Sequence, residues 1–301
     1  DVELCGFAAA GERRAFGELV RRHGSGVRQL LRRMGAQPAE SDDVSGGLTA
    51  SLPRERHTFR LGADFHHNAF AAYQQNAQTG AQQDTLNDAT RTRFGTFLEW
   101  QAEWNSRWTT MIGLRNDTVW SDASEVVNAF PASAADRAAF NSRAHDFADV
   151  NFDVTAAVRL TAGAHQSYEL GFARKNRAPS LLERYLWTPL SASAGQADGR
   201  TYLGNLDLES ETSHQFAFTA DWHGERWRVK FTPFYNFVSD YIHGTPISRM
   251  VGGLPVLQFQ NQSRADLYGM DGEARFDLSE QFTLRGRWSY VRGINRDTGD
   301  N

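Results

Sequence analysis

The sequence lacks the features of several common protein classes. One cysteine, Cys5, excludes an internal disulfide bond and leaves no cysteine pair for a zinc knuckle. No apolar run approaches ~18 residues, so transmembrane helices are not expected. The start DVELCGF has neither the basic nor the apolar region of a signal peptide. Charge is balanced, since 32 Lys and Arg stand against 36 Asp and Glu, and the net charge of −4 argues against a nucleic-acid partner.

The first 45 residues carry apolar side chains at the spacing of an amphipathic helix. The predicted apolar stripe comprises Phe16, Leu19, Val20, His23, Val27, Leu30, Leu31 and Met34. Seven Arg and two Glu lie between residues 12 and 33, which gives the polar face a charge of 7 − 2 = +5. Gly35 and Pro38 are suited to ending this helix. The segment is therefore predicted to be a short, basic N-terminal helix.

The string AAAGERRAFGELVRRHGSGVRQLLRRMGAQPAESDDV resembles the start of the first conserved region of extracytoplasmic-function sigma factors. The likeness covers residues 1–45 and stops after Val44, before the aromatic and basic residues that would read promoter DNA in that family. A solvated amphipathic helix without this function is the alternative interpretation. Residues 46–56 are expected to form a linker.

From residue 57 the apolar side chains recur at every second position, which predicts β-strands. About nine strands, mostly of about 10–13 residues, are expected between residues 57 and 301. They are centred on residues 59–65, 94–104, 108–114, 150–160, 168–172, 216–222, 227–237, 255–276 and 282–290. A change of parity between Phe259 and Tyr268 suggests a β-bulge. Soluble strands are typically ~5–6 residues long, whereas a tilted membrane strand needs ~9–11.

The connections between the predicted strands alternate between short and long. Short turns are expected near 105–107, 161–164, 223–226 and 278–281, and long loops at 67–91, 121–148, 175–212 and 239–254. Outer-membrane barrels show this alternation, with short turns on the periplasmic side. The fold class predicted is therefore mainly β: a partial, antiparallel transmembrane β-barrel with a short N-terminal α-helical segment.

The two faces of the predicted strands differ as a membrane barrel requires. Aromatic residues lie on the apolar face near strand ends: Trp100, Trp104, Trp108, Trp120, Trp222, Trp227, Tyr235 and Trp288. Charged residues lie on the other face: Glu99, Glu103, Arg115, Asp117, Arg159, Glu169, Arg228, Lys230, Arg285 and Arg287. The first face is suited to lipid and the second to a solvated lumen.

Two segments, GFARKNRAPSLLERYLWTPL at 171–190 and YLGNLDLESETSHQFAFTADW at 202–222, resemble TonB-dependent outer-membrane receptors. The frame Ala173 to Tyr185 and the stretch KFTPFYNFVSDYI are most similar to the copper-type subgroup. The likeness covers residues 57–301 and assigns structural roles at the outer loop to ten residues. They are Arg174, Arg177, Pro179, Leu181, Glu183, Tyr185, Gly204, Asn205, Asp207 and Glu211.

The resemblance implies a barrel of about 22 strands, an N-terminal plug and a TonB box. It also implies import of a metal ion or metal chelate, driven by the proton-motive force through TonB, in contact with outer-membrane lipid. Nine strands cannot close such a barrel, no plug or TonB box precedes residue 57, and the sequence ends at DTGDN. The expectation is therefore an incomplete receptor joined to the start of a sigma factor, not competent for transport alone.

No catalytic or cofactor-binding motif is present in a fitting context, so the chain is predicted not to be an enzyme and to need no cofactor. His66 and His67 are candidate metal ligands, because imidazole suits copper, although neighbours on a strand point to opposite faces. Met250 is a further candidate. Two alternatives to a receptor remain: a regulator that binds RNA polymerase through residues 1–45, and a soluble all-β adhesin or enzyme.

Overall fold

The computed structural model describes residues 40–76, 78–191 and 199–299. The helix predicted within residues 1–45 lies, up to residue 39, outside these ranges. Residues 40–45 belong to a strand, and so do residues 46–54, where a linker was expected. The linker prediction was wrong because the alternation in this segment uses small residues on both faces, which weakens the period-two signal.

In these ranges twelve strands form a single sheet that is antiparallel except at one short contact. Ten of them are long: β1 Glu40–Arg54, β2 His57–Gln75, β3 Gln82–Glu103, β4 Trp108–Asp122, β5 Phe147–Gly163, β6 Gln166–Arg177, β9 Glu211–His223, β10 Trp227–Val251, β11 Leu254–Asp277 and β12 Thr283–Asn295. Two are short: β7 Leu190–Ser191 and β8 Thr201–Leu203. The helical elements are a 3-10 turn at Pro131–Ser133, α1 Ala134–Asn141 and α2 Leu181–Tyr185.

The order of the strands in the sheet follows the chain from β1 to β6 and continues through β9, β10 and β11. β12 pairs with β11 along residues 265–277. β8 pairs in parallel with β11 farther along, at Leu257 and Gln258, and β7 pairs with β8. Within the described residues β1 and β12 do not pair with each other, so the sheet is an open part of a barrel. The predicted fold class is confirmed.

All nine predicted strands are present, and β1 is an additional one. Several strands are longer than expected, with 22 residues in β3, 25 in β10 and 24 in β11. The loops predicted at 67–91 and 239–254 are consequently the ends of two long hairpins, β2–β3 and β10–β11. The extensions lack apolar residues at every second position, which hid them from the sequence pattern. A hairpin outside the membrane satisfies its backbone by pairing whatever its side chains are.

The bulge expected between Phe259 and Tyr268 is absent, since β11 keeps one continuous register with β10 across both residues. The two side chains point to opposite faces because they are an odd number of residues apart. Tyr268 lies opposite Tyr235, whereas Phe259 is buried in a cluster with residues of a long loop. Phe259 is therefore an apolar residue on the polar face because a long loop covers it, and not because the register changes.

The outward face of the sheet exposes many large apolar side chains, among them Leu48, Leu61, Leu98, Leu114, Phe152, Leu170, Phe216, Phe218, Met270, Phe276 and Leu284. Aromatic residues flank them, and Trp100, Trp104 and His57 stack together at the end with the short turns. A soluble sandwich would bury these side chains, so the face is suited to lipid. Among the helices that the structure describes, none has the length and apolarity needed to cross a membrane.

Candidate functional site

Two long loops, the described parts of residues 123–146 and 178–210, fold over the polar face at one end of the sheet; we call them the loop cap. They are held by two apolar clusters. The first contains Leu86, Ala89, Ala123, Val126, Phe140, Leu181, Tyr185, Trp187 and Leu206. The second contains Leu186, Leu190, Tyr202, Leu208, Ile242, Leu257 and Phe259. The loop cap is thus a packed structure with its own core.

The short helix α2 begins directly after strand β6 ends. Pro179 is fully buried at the junction and cannot donate to the sheet, which suits a residue that ends a strand. The Ser180 side chain accepts a hydrogen bond from the Glu183 N–H, and the Glu183 carboxylate accepts one from the Ser180 N–H at 2.7 Å. This capping box starts a helix of only five residues at a defined angle to the strand.

Arg177 joins the two ends of the 178–210 loop. Its guanidinium donates to Glu211 at 2.6 and 2.8 Å, and to Glu183 at 2.8 and 3.2 Å. The Glu211 carboxylate also accepts a 2.7 Å hydrogen bond from the N–H of Ile242 on β10. Because Arg177 is the last residue of β6 and Glu211 the first of β9, this group fixes both points where the loop leaves the sheet. We call Arg177, Glu183 and Glu211 the loop brace.

Arg184 on α2 connects the loop cap to the strands beneath it. Its side chain is only 2 % exposed and donates to both carboxylate oxygens of Asp149, at 2.9 and 3.1 Å. The same guanidinium donates to the Ser121 hydroxyl and to the Leu208 carbonyl, and lies 4.6 Å from the centre of the Phe147 ring. One buried cation therefore links α2, the strands β4 and β5, and the far end of the loop.

Two aromatic residues complete the attachment of α2. The Tyr185 hydroxyl donates to the His145 carbonyl at 2.8 Å, and burial raises the pKa of this phenol to about 12. The Trp187 indole donates to the Asp84 carbonyl on β3 at 2.9 Å. Both rings are almost completely buried in the first apolar cluster. The two long loops are thereby tied to each other and to the sheet.

The turn at residues 204–207 passes closely along α2. The Gly204 N–H donates to the Leu186 carbonyl at 2.7 Å, and the Asn205 N–H donates to the Glu183 carbonyl at 2.9 Å. The Asn205 side chain accepts from the Asp207 N–H, and Asp207 pairs with Arg143 of the other loop. These contacts give the predicted turn residues a specific place in the loop cap.

Replacement of Gly204 by Ala is expected to destabilise the loop cap. A Cβ at this position would lie 2.7 and 2.9 Å from backbone atoms of Leu186 and 3.0 Å from the Arg184 carbonyl, so the turn would have to move. We expect a loss of about 1–3 kcal/mol, measured by thermal unfolding and by protease cleavage within 178–210. Gly286→Ala is the control, because nothing lies within 4 Å of its Cβ. Equal stability of both variants would contradict the close approach.

The loop brace should weaken in acid. Burial by itself raises the pKa of Glu183, but hydrogen bonds from Arg177 and from the Ser180 N–H outweigh it and hold the pKa below its ordinary value. A carboxyl whose pKa is lowered on folding stabilises the protein above its unfolded pKa, and this contribution is lost as the pH falls through the folded pKa. We therefore expect the midpoint temperature of unfolding to decrease as the pH is lowered below about 4.3.

Glu183→Gln is the matched variant for this prediction, since glutamine keeps the capping box but does not titrate. Its thermal midpoint should lie below that of the wild type at pH 7, and the difference between the two proteins should shrink as the pH falls below about 4. A difference that stays constant from pH 7 to pH 3 would exclude Glu183 as a source of the pH dependence.

Of the ten residues assigned to the outer loop, the structure brings nine into the loop cap or the loop brace. Arg174 is the exception, because its guanidinium lies on the outward face, where it contacts Asn176 and the Phe152 carbonyl. Arg184 lies within the frame from Ala173 to Tyr185 and Trp187 within the matched segment 171–190, but neither was assigned a role from the sequence. A buried arginine has no distinguishing pattern in sequence. The structural role assigned to the ten residues remains a prediction.

A network of charges covers the polar face farther along the sheet. Asp64 on β2 accepts from Arg93 at 2.7 Å and from Arg115 at 2.8 and 3.0 Å. Arg115 also donates to Asp117 at 2.6 and 2.7 Å. Three neighbouring strands contribute to this group, which presents paired charges to the lumen side of the sheet. The arrangement is suited to the solvated inner surface of a barrel, and these residues do not form a catalytic site.

The three candidate metal ligands are not brought together. His66 pairs with Asp43 at 2.6 Å, and His67 contacts the Thr92 hydroxyl at 2.8 Å. Strand β2 continues to Gln75, so the two histidines stay within a strand and point to opposite faces. Met250 lies at the far end of β10. In the sheet, strands β3 to β6 and β9 lie between β10 and β2. Within the described residues no three His, Cys, Asp or Glu form a possible metal site.

Known proteins with the same architecture were found. The profile of the family described as "TonB dependent receptor-like, beta-barrel" matches residues 14–301. Its match begins inside the segment that resembles a sigma factor.

Three solved structures illustrate the similarity in fold. The copper transporter OprC is 16 % identical, with a TM-score of 0.68, over 87 % of this chain and 39 % of its own. The FrpB iron transporter from Neisseria meningitidis is 12 % identical, with a TM-score of 0.61, over 87 % and 37 %. The siderophore receptor PirA from Pseudomonas aeruginosa is 17 % identical, with a TM-score of 0.54, over 85 % and 40 %. The chain spans about two fifths of the length of these proteins.

The strand order, the two unlike faces and the packed loops at one end are all accounted for by this family. Its members are transporters of the outer membrane and not enzymes. The chain therefore belongs to the TonB-dependent receptor-like β-barrel family.

Proposed function

We propose that this chain forms part of the wall and outer mouth of a barrel that imports a metal ion or a metal chelate across the outer membrane. The observation that supports this most is the loop cap, which is packed onto the polar face at one end of the sheet only. A folded loop cap next to the charged polar face of the sheet is suited to binding a polar cargo that arrives from outside the cell. TonB would supply the energy, as the family implies.

The open edges of the sheet support a role within a larger barrel. β1 and β12 each pair on one side only in the described residues. An exposed pair of edges with an apolar outer face favours aggregation unless further strands cover it. We infer that this chain transports cargo only together with other barrel strands of the same receptor.

Copper and an iron chelate are both supported as cargo. The structures similar in fold include a copper transporter, an iron transporter and a siderophore receptor. The frame from Ala173 to Tyr185 favours the copper-type subgroup.

Uptake by cells tests this proposal. The receptor that contains this chain is expressed in a strain that lacks it, and uptake of radioactive copper and of a radioactive ferric catecholate is measured with and without a protonophore. We expect energy-dependent uptake of one cargo, and a strong reduction by Tyr185→Ala at an unchanged amount of receptor in the membrane. Arg159→Ala, on an exposed pair with Glu169, is the control. Uptake no greater than in the strain without receptor would refute the proposal.

The likeness of residues 1–45 to a sigma factor supports a second, separate hypothesis. The basic amphipathic pattern is compatible with binding to RNA polymerase, but the match of the barrel family from residue 14 favours a place in the receptor. Retention of polymerase by the full chain, and its loss when residues 1–39 are removed, would support the regulatory role. No retention would exclude it.

A further inference from the structure

The outward face of β10 and β11 changes from apolar to charged at a definite level. Alternate outward residues on β10 are apolar from Trp227 to Phe237, which spans about 33 Å along the strand. At a tilt of about 40° this corresponds to about 25 Å across the membrane, the height of the apolar band in such barrels. Tyr235 and Tyr268 lie side by side near its outer limit, with ring centres 6.4 Å apart. The next outward residues therefore lie at the level of lipid headgroups.

The residues at this level form a compact group. Asp266 lies opposite Phe237, and Arg264 lies opposite Ser239. The Asp266 carboxylate accepts hydrogen bonds from Arg264 at 2.7 Å, from Arg296 at 2.7 Å and from the Tyr235 hydroxyl at 2.9 Å. Its side chain is 0 % exposed, although it is on the outward face, because these partners cover it.

Asp266 holds two arginines side by side at the surface. The Arg264 and Arg296 side chains are 47 % and 51 % exposed. Their contacts with Asp266 and Tyr235 use two nitrogen atoms of each guanidinium, which carries five N–H donors. Donors of both groups are thus available to one further anion. Arg264 is also positioned by the Phe237 ring, whose centre is 5.1 Å from its guanidinium carbon.

The charge at this site is positive. Arg292 lies opposite Tyr268 on the same outward face, so three arginines stand against two carboxylates, Asp266 and Asp297, and the formal charge is 3 − 2 = +1. Asp297, the nearby acidic residue of the following turn, is hydrogen-bonded to the N–H of Ser263 at 2.6 Å.

The geometry points to a binding site for the phosphate group of an outer-leaflet lipid, formed by Arg264, Arg296 and Arg292. Paired guanidinium groups bind phosphate oxygens with charge-assisted hydrogen bonds, and Tyr235 and Phe237 offer apolar surface to the lipid chains below. Asp266 acts as a positioning residue that holds the two guanidinium groups next to each other. The site lies on the side of the sheet opposite the loop cap, so it is distinct from the path proposed for cargo.

Binding of a phosphomonoester lipid to the full chain tests the site. The chain is refolded in neutral detergent and titrated with phosphatidic acid, with diacylglycerol as the lipid without phosphate and inorganic phosphate as the anion without lipid. We expect saturable binding of phosphatidic acid, and no saturable binding of diacylglycerol or inorganic phosphate at the same concentrations. The triple variant Arg264→Gln, Asp266→Asn, Arg296→Gln removes the arginines without leaving a buried carboxylate unpaired, and should weaken binding at least about tenfold. Arg292→Gln, at the position opposite Tyr268, should weaken it several-fold.

The matched control is Arg285→Gln with Arg287→Gln, which removes two charges from the polar face of β12. This variant should bind phosphatidic acid as the wild type does. Equal affinity for inorganic phosphate would refute a lipid site in favour of a general anion site. Unchanged binding in both the triple variant and Arg292→Gln, or an equal loss in the polar-face control, would overturn the assignment. Circular dichroism of each variant establishes that the barrel strands have formed.

Discussion

Replacement of Arg184 by Ala is expected to cost about 3–5 kcal/mol of loop-cap stability, because it breaks a buried ion pair. The substitution would leave the Asp149 carboxylate, whose side chain is 13 % exposed, without its cation. It would also remove the hydrogen bonds to the Ser121 hydroxyl and the Leu208 carbonyl. Thermal unfolding in detergent and protease cleavage of the two long loops would measure the loss.

Two further variants show whether the loss comes from the unpaired charge. Arg159→Ala removes an arginine that is 54 % exposed and paired with Glu169 at 3.2 Å, and should change stability by no more than about 1 kcal/mol. Adding Asp149→Asn to Arg184→Ala removes the buried unpaired charge and should recover part of the stability. A double variant as unstable as Arg184→Ala would show that packing, and not charge, is responsible.

Tyr185→Ala is expected to cost about 3–5 kcal/mol through loss of packing. The ring is 1 % exposed and contacts both long loops within the first apolar cluster. Its removal would open a cavity between them and would free the His145 carbonyl. Cleavage by protease should appear in both 123–146 and 178–210, because the two loops share this core.

Tyr185→Phe separates the ring from its hydroxyl. The phenylalanine variant keeps the packing and loses the hydroxyl with its hydrogen bond to the His145 carbonyl, which should cost about 1 kcal/mol. If both variants were equally unstable, the hydrogen bond would dominate and the cavity argument would be wrong. If only one loop became cleavable in Tyr185→Ala, the loops would be independent of each other.

Much of the sheet could be predicted because a membrane strand must place apolar residues at every second position. This requirement ends at the headgroup level. The hairpin extensions at 67–75 and 82–91 are therefore invisible to the same pattern, because their buried apolar residues, such as Leu86 and Ala89, pack under the long loops and do not recur at every second position. Strand β1 was missed for a related reason. Its small residues Gly46, Gly47 and Thr49 leave little difference in hydrophobicity between the two faces of the strand.

The loop motif could be located from sequence, but its contacts could not. Arg177, Glu183 and Glu211 are separated by up to 34 positions, and only the pairing of β6 with β9 places the first and last of them side by side. Arg184 and Phe259 depend on tertiary structure in the same way. A buried arginine and an apolar residue on a polar face both contradict the local pattern, because the covering loop decides their environment.

The short strand β8 completes the sheet where β12 ends. β12 pairs with β11 only from Ala265 onward, and β8 occupies the edge of β11 at Leu257 and Gln258. Tyr202 of β8 stacks on Phe259 of β11, with ring centres 5.3 Å apart. These contacts join residues that are distant in the chain, so the entropy of closing the intervening segment must be lost before they form. The 178–210 loop should consequently fold last, after the β10–β11 hairpin, and its amide protons should be the first in the sheet region to exchange when the protein opens.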